Sequence, residues 1–115
     1  MNLQDVPVVK IDSDDGNKFI VAVVRDEDGE KKLVVRANQK CRYHFEIEDQ
    51  LREEIYGTGM GAYAIGGGRI TVNAEAKTIN IWGESTGFGK EPGRTWTVAT
   101  LQEAFPEFVV SESAP

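Results

Sequence analysis

The sequence predicts a single α/β domain of α+β type: a mixed β-sheet flanked by two helices. Three observations predict it. Runs rich in β-branched residues and of strand length lie between turn signals. Two other stretches space their apolar residues at helical intervals. The two kinds of segment then alternate in the order β-β-α-β-β-α-β, which packs as a sheet covered by helices. At 115 residues the chain fits one domain, 1–115, with a core from about 6 to 110. A chain of this size buries about two-thirds of the surface its unfolded form exposes, enough for a core without disulfide or metal.

The elements follow in order. Val8-Val9-Lys10-Ile11 can add a short strand ahead of that order. Residues 18–25 are rich in β-branched residues and lie between two turn signals, Asp14-Asp15-Gly16 and Asp26-Glu27-Asp28-Gly29. Residues 32–36 complete a hairpin with them. The period then changes: Tyr43, Ile47, Leu51 and Ile55 recur every four positions among Glu46, Glu48, Asp49, Arg52 and Glu53. That is an amphipathic helix, starting between Cys41 and His44 and stopped by Gly57. Residues 60–65 read as a strand interrupted at Gly66-Gly67-Gly68 by a bend or bulge. Residues 69–72 resume as a strand, with 78–82 as hairpin partner. A glycine-rich loop covers 83–93. Residues 97–105 form a short helix with Val98, Leu101 and Phe105 on one face, ended by Pro106. Residues 108–110 read as a last strand, and 111–115 as a polar tail.

The composition, 40% hydrophobic and 28% charged, is that of a soluble globular chain. A net charge of −6 argues against broad nucleic-acid binding, which needs a basic surface, but leaves room for a local basic pocket. Cys41 is the sole cysteine, so no intrachain disulfide is expected. The first residues lack the basic and apolar regions of a signal peptide, and no apolar run has the length of a membrane span. The expectation is a cytoplasmic protein without a membrane partner. It is expected to be a monomer, because no apolar surface stripe is left over.

Several motifs fail on inspection. Gly57-Thr58-Gly59-Met60-Gly61 follows a helix, whereas a dinucleotide loop follows a strand and opens a helix. Gly87-Phe88-Gly89-Lys90 lacks the spacing and hydroxyl of a phosphate-binding P-loop. Asp12-Ser13-Asp14-Asp15-Gly16 brings its glycine too early for a calcium loop. Cys41 and His44 form a Cys-x-x-His pair, but no other Cys or His completes a zinc site, so no metal or cofactor is expected. A cysteine-dependent phosphatase would need arginine where Ile47 stands, and a serine triad would need a Gly-x-Ser-x-Gly elbow that the chain lacks.

What is left is His44, the only histidine. It lies in the first turn of the predicted helix, where free N–H groups and the helix dipole favour an anion.

Several blocks are then familiar together: Ile11-Asp12-Ser13-Asp14, Lys18-Phe19, Val35-Arg36, Tyr43-His44, Ile65-Gly66-Gly67-Gly68-Arg69-Ile70, and Gly83 with Ser85. Over about 6–110 the chain resembles the phosphohistidine phosphatase family, which also includes the janus and ocnus proteins of insects. The resemblance implies a mixed sheet with two flanking helices. It implies His44 as the catalytic residue and histidine-phosphorylated proteins as partners. Lys18 and Tyr43 fall on substrate-binding positions, and Ser85, Thr86 and Gly87 on a phosphate-binding loop acting through its backbone. Arg36, Arg69 and Gly66 fall on supporting positions. The sequence departs from the pattern at Glu84, where an aromatic is expected, and at Gly87, where alanine is expected. A non-catalytic, phosphoprotein-binding module is the alternative reading.

The implied chemistry is sparing. Phosphoryl transfer passes through a loose transition state, so positioning and charge stabilisation suffice. Exchange of one P–N bond for another is nearly thermoneutral, and water then releases phosphate from His44. A general-base role for His44 is the other route. One ring nitrogen must be unprotonated while the other donates a hydrogen bond. A carbonyl in the Gly66-Gly67-Gly68 bend is the expected acceptor, with Nε2 left to face the phosphate.

Overall fold

The computed structural model describes residues 1–12 and 17–113; the predicted turn at Asp14-Asp15-Gly16 lies outside them. The turn at Asp26 forms as predicted. Asp26 Oδ1 accepts from the N–H groups of Asp28 and Glu30, and Gly29 takes φ 86°. It joins β2 (Asn17–Arg25) to β3 (Lys31–Asn38) as an antiparallel pair. The short first strand is β1 (Val9–Asp12), which runs parallel to β3 on the far side from β2. Helix α1 (His44–Glu54) follows, then β4 (Gly61–Asn73), β5 (Thr78–Trp82), helix α2 (Arg94–Ala104) and β6 (Val109–Glu112). The sheet order is β1-β3-β2-β4-β5-β6, so β2 and β4 lie at its centre.

Residues 19–24 of β2 are all buried, as a central strand covered on both faces requires. Alternation assigns them to two cores. Phe19 and Val21 join Val35, Ala37, Ile70, Ile79, Ile81 and Leu101 on the α2 face. Ile20, Ala22 and Val24 join Val34, Ile47, Leu51 and Ile55 on the α1 face. Each helix therefore covers one face with its apolar stripe, except that Tyr43, read as the first member of the α1 stripe, lies outside the core and is exposed.

Three boundaries differ from the sequence reading. The triple glycine does not interrupt its strand: β4 runs straight through it for 13 residues. The predicted bulge is present within that strand, since Val21 pairs with Gly66 but Ala22 with Ala64, leaving Ile65 as the extra residue. Helix α2 begins at Arg94, not at residue 97, because Gly93 adopts a left-handed conformation at its start (φ 70°). Strand β6 continues into the stretch that reads as tail, pairing Ser111 with Asn80 and Glu112 with Ile81.

Arg36 ties three segments together beneath α1. Its guanidinium pairs with both carboxylate oxygens of Glu54, at 3.0 and 2.8 Å, and donates to the carbonyls of Pro7 and Val35. Losing one member of a fully buried pair costs about 3–5 kcal/mol. Glu54 keeps some contact with water, so Arg36→Met is expected to cost about 2 kcal/mol. Urea unfolding measures this, and an unchanged midpoint would contradict it.

Candidate functional site

Tyr43 is extended and His44 opens α1. The sequence suggests an open helix start; the structure places a carboxylate there. Glu46 Oε1 accepts from the N–H groups of Tyr43 (3.0 Å) and Arg42 (3.1 Å), the reciprocal half of a capping box. This cap fixes where the helix begins and so where the histidine points.

The His44 ring lies over β4. Its Nε2 is 3.0 Å from the Gly68 carbonyl oxygen. A carbonyl only accepts, so Nε2 carries the proton and Nδ1 holds the lone pair. The acceptor lies in the expected bend, but the nitrogen is the opposite one from that expected. The reason is geometric: the ring enters from the helix start with its Cδ2–Nε2 edge against the strand. A Cβ on Gly67 would stand 3.2 Å from His44 Cδ2 and 2.2 Å from the Phe19 carbonyl oxygen. Among the described residues Nδ1 has no hydrogen-bond partner, yet it is not one of the fully buried unpartnered atoms, so it reaches solvent. Burial lowers the His44 pKa below the ordinary 6.5, and the Lys18 and Arg69 cations lower it further against the opposing Gly68 hydrogen bond. The ring is therefore neutral at pH 7.

Those two cations come from adjacent strands. Lys18 on β2 is the cross-strand partner of Arg69 on β4, so both side chains rise from the face that α1 covers. Lys18 Nζ donates to the Arg42 carbonyl at 2.6 Å and stands 6.0 Å from the centre of the Tyr43 ring. Arg69 is exposed and has no ion pair among the described residues. Tyr43 is half exposed and stacks on Phe45 at 5.4 Å.

The loop after β5 meets the histidine at Gly67, whose N–H donates to the Gly89 carbonyl. Ser85 and Gly89 exchange two backbone hydrogen bonds, and buried Ser85 accepts from the Phe88 N–H through Oγ. The loop thus uses the N–H groups of residues 85, 88 and 89 to build itself. Those of Thr86 and Gly87, both exposed, have no partner among the described residues. Ser85 accordingly shapes the loop, and Thr86 and Gly87 carry its free donors. Glu84 is exposed beside it.

Two of the residues named from sequence lie apart from the histidine. Arg36 fastens Glu54 near the far end of α1, as described above. Gly66 faces the segment that leads into α2: a Cβ there would fall 2.1 Å from the Glu91 backbone nitrogen. The glycine under the ring is Gly67. Sequence reasoning also missed Glu91 and Arg94, a buried pair flanking Pro92-Gly93, although charges three apart at a helix start are a readable signal. Cys41 stays a protonated thiol, its pKa raised by burial and by Glu46. Among the described residues no group of three His, Cys, Asp or Glu side chains could hold a metal ion, and no helix is long and apolar enough to cross a membrane.

Fold and site together define an α+β protein with a largely buried neutral histidine whose Nδ1 reaches solvent, near two cations and beside a glycine-rich loop. The chain belongs to the Janus/Ocnus family, whose model matches residues 3–109. It is 38% identical over 94 residues to sex-regulated protein janus-A of Drosophila pseudoobscura pseudoobscura, covering 77% of this chain and 63% of that protein. The janus-A protein of Drosophila yakuba is 33% identical over 111 residues, 96% of this chain and 82% of the relative. A 14 kDa phosphohistidine phosphatase of Sus scrofa is 28% identical over 116 residues, 96% of this chain and 91% of the relative.

Proposed function

We propose that this chain is a protein phosphohistidine phosphatase, hydrolysing the P–N bond of phosphorylated histidine by metal-independent phosphoryl transfer through His44. One observation carries the reading: Nε2 is committed to the Gly68 carbonyl, which leaves the Nδ1 lone pair free on a ring within the field of two cations. The name of the porcine relative supports the same activity. In the first step His44 Nδ1 attacks phosphorus. The Nδ1–P bond forms, the substrate N–P bond breaks, and the departing imidazole takes a proton from solvent. Lys18, Arg69 and the amides of Thr86 and Gly87 hold the phosphoryl oxygens, stabilising charge on a group that changes partners without a metal. The Nε2–H bond to Gly68 strengthens as the ring becomes positive. In the second step water attacks phosphorus and the Nδ1–P bond breaks; phosphate leaves carrying the water oxygen and one of its protons, and the other proton passes to solvent. The protein partners are thus histidine-phosphorylated.

Incubating the protein with a phosphohistidine peptide and measuring free phosphate tests this. Release well above the uncatalysed rate is expected. Tight binding without release would favour the non-catalytic phosphoprotein-binding module instead. Activity is expected to persist in excess EDTA; loss on chelation, restored by a divalent ion, would overturn the metal-independent route.

The pH dependence follows in sign from the lowered pKa. Attack needs the neutral ring, so the rate falls as pH drops through the His44 pKa, and that limb lies below 6.5. Lys18→Gln removes one of the cations that lower it, so the limb should move up toward 6.5. The lost charged hydrogen bond to phosphate should raise KM about tenfold. A profile and KM unchanged in Lys18→Gln would remove Lys18 from the site.

A further inference from the structure

Strand β5 ends at Trp82, opposite Arg69, so Gly67 and Gly68 have no strand beside them on that edge of β4. Other groups complete the backbone there. The Gly67 N–H donates to the Gly89 carbonyl, and the Gly67 carbonyl accepts from Arg94 Nη2 at 3.0 Å. Arg94 is itself held rigidly. Its Nε and Nη2 both reach Glu91 at 2.8 Å, and Thr97 Oγ1 donates to Glu91 Oε2 at 2.7 Å. The guanidinium lies 5.2 Å from the centre of the Phe19 ring, and Phe19 is the β2 partner of Gly68. Arg94, Glu91 and Thr97 are all buried, on the sheet face opposite α1. Burying an ion pair carries a desolvation cost that packed apolar residues would avoid. Here the pair holds the Gly67–Gly68 peptide unit, the direct neighbour of the Gly68–Arg69 unit whose carbonyl orients the histidine.

We propose that Arg94, braced by Glu91 and Thr97, is a positioning residue: through the Gly67 carbonyl it fixes the adjoining Gly68 carbonyl, and with it the proton on His44 Nε2. The catalytic consequence rests on the phosphatase reading; the tautomer itself does not. A planar, multiply bonded guanidinium sets the orientation of a carbonyl as a single-point donor cannot. Without it the Gly67–Gly68 peptide can rotate, and through the shared Gly68 Cα the next carbonyl, the ring's acceptor, loses its fixed direction.

His44 is the only histidine, so its ring gives a single set of imidazole nitrogen signals. Long-range proton–nitrogen NMR at pH 8 reads the tautomer directly. In the native protein a protonated Nε2 and an unprotonated Nδ1 should be well separated. In Arg94→Met the separation should fall to about half or less, as the two tautomers mix. Arg94→Lys should restore part of it. Thr97→Val removes one brace while keeping shape, and should give an intermediate value even if Arg94→Met fails to fold. Native-like separation in a folded Arg94→Met, or in Thr97→Val when Arg94→Met does not fold, would overturn the proposal. Because this readout needs no substrate, it decides the positioning role whether or not the protein proves to be a phosphatase. In an active protein, folded Arg94→Met should lose kcat more than it raises KM.

Discussion

His44→Ala is expected to lose phosphohistidine hydrolysis by about a thousandfold or more, because the nucleophile is gone and the chain has no second histidine to replace it. His44→Asn should fail equally. Its amide can donate to a carbonyl but cannot accept a phosphoryl group. Binding should survive in both variants, since Lys18, Arg69 and the free loop amides are untouched. Quenching native protein and substrate rapidly in alkali, followed by mass spectrometry, should find phosphate on His44. Substantial activity in His44→Ala would sink the central reading. Loss of activity in that variant, without any phosphorylated intermediate in the native protein, would instead assign His44 the general-base role.

Gly67→Ala is the substitution expected to harm both fold and site. The new methyl would meet the Phe19 carbonyl oxygen at 2.2 Å, and that atom belongs to the central strand β2. Overpacked methyl groups usually cost about 1–3 kcal/mol, and this one should cost about 3 kcal/mol or more because backbone cannot step aside. The same methyl presses on His44 Cδ2 at 3.2 Å, so the ring must leave the Gly68 carbonyl or β4 must leave β2. Denaturant midpoint and turnover should therefore fall together. Gly87→Ala offers the contrast, since nothing lies within 4 Å of a Cβ there. It should leave stability within about 0.5 kcal/mol of the native value. Equal damage from the two substitutions would contradict this account.

The pattern of apolar residues determined much of this protein. The four-residue spacing from Ile47 to Ile55 placed α1, and the apolar run of residues 19–24 matches the fully buried middle of β2. Glycine was harder to read, because it marks either a bend or a close approach. The triple glycine reads partly as an interruption, but pairing with β2 carries β4 through it. The start of α2 was missed because Thr95 and Arg94 show no apolar period, and only the left-handed Gly93 marks the boundary.

The sequence by itself determined the element order, the two helix faces and the sole histidine at a helix start. These are local quantities: each depends on side-chain period and turn chemistry within about ten residues. Which groups surround that histidine is a non-local matter. Lys18 and Arg69 become neighbours through the β2–β4 register, and a one-residue slip would turn either to the other face. The family resemblance puts Arg36 and Gly66 at supporting positions, but folding gives one to Glu54 and the other to Glu91. The choice between Nδ1 and Nε2 lay furthest from the sequence. It turns on a single 3.0 Å contact between a side chain and a carbonyl 24 residues away, and the strand, the helix cap at Glu46 and the Arg94 clamp must all be in place before that contact exists.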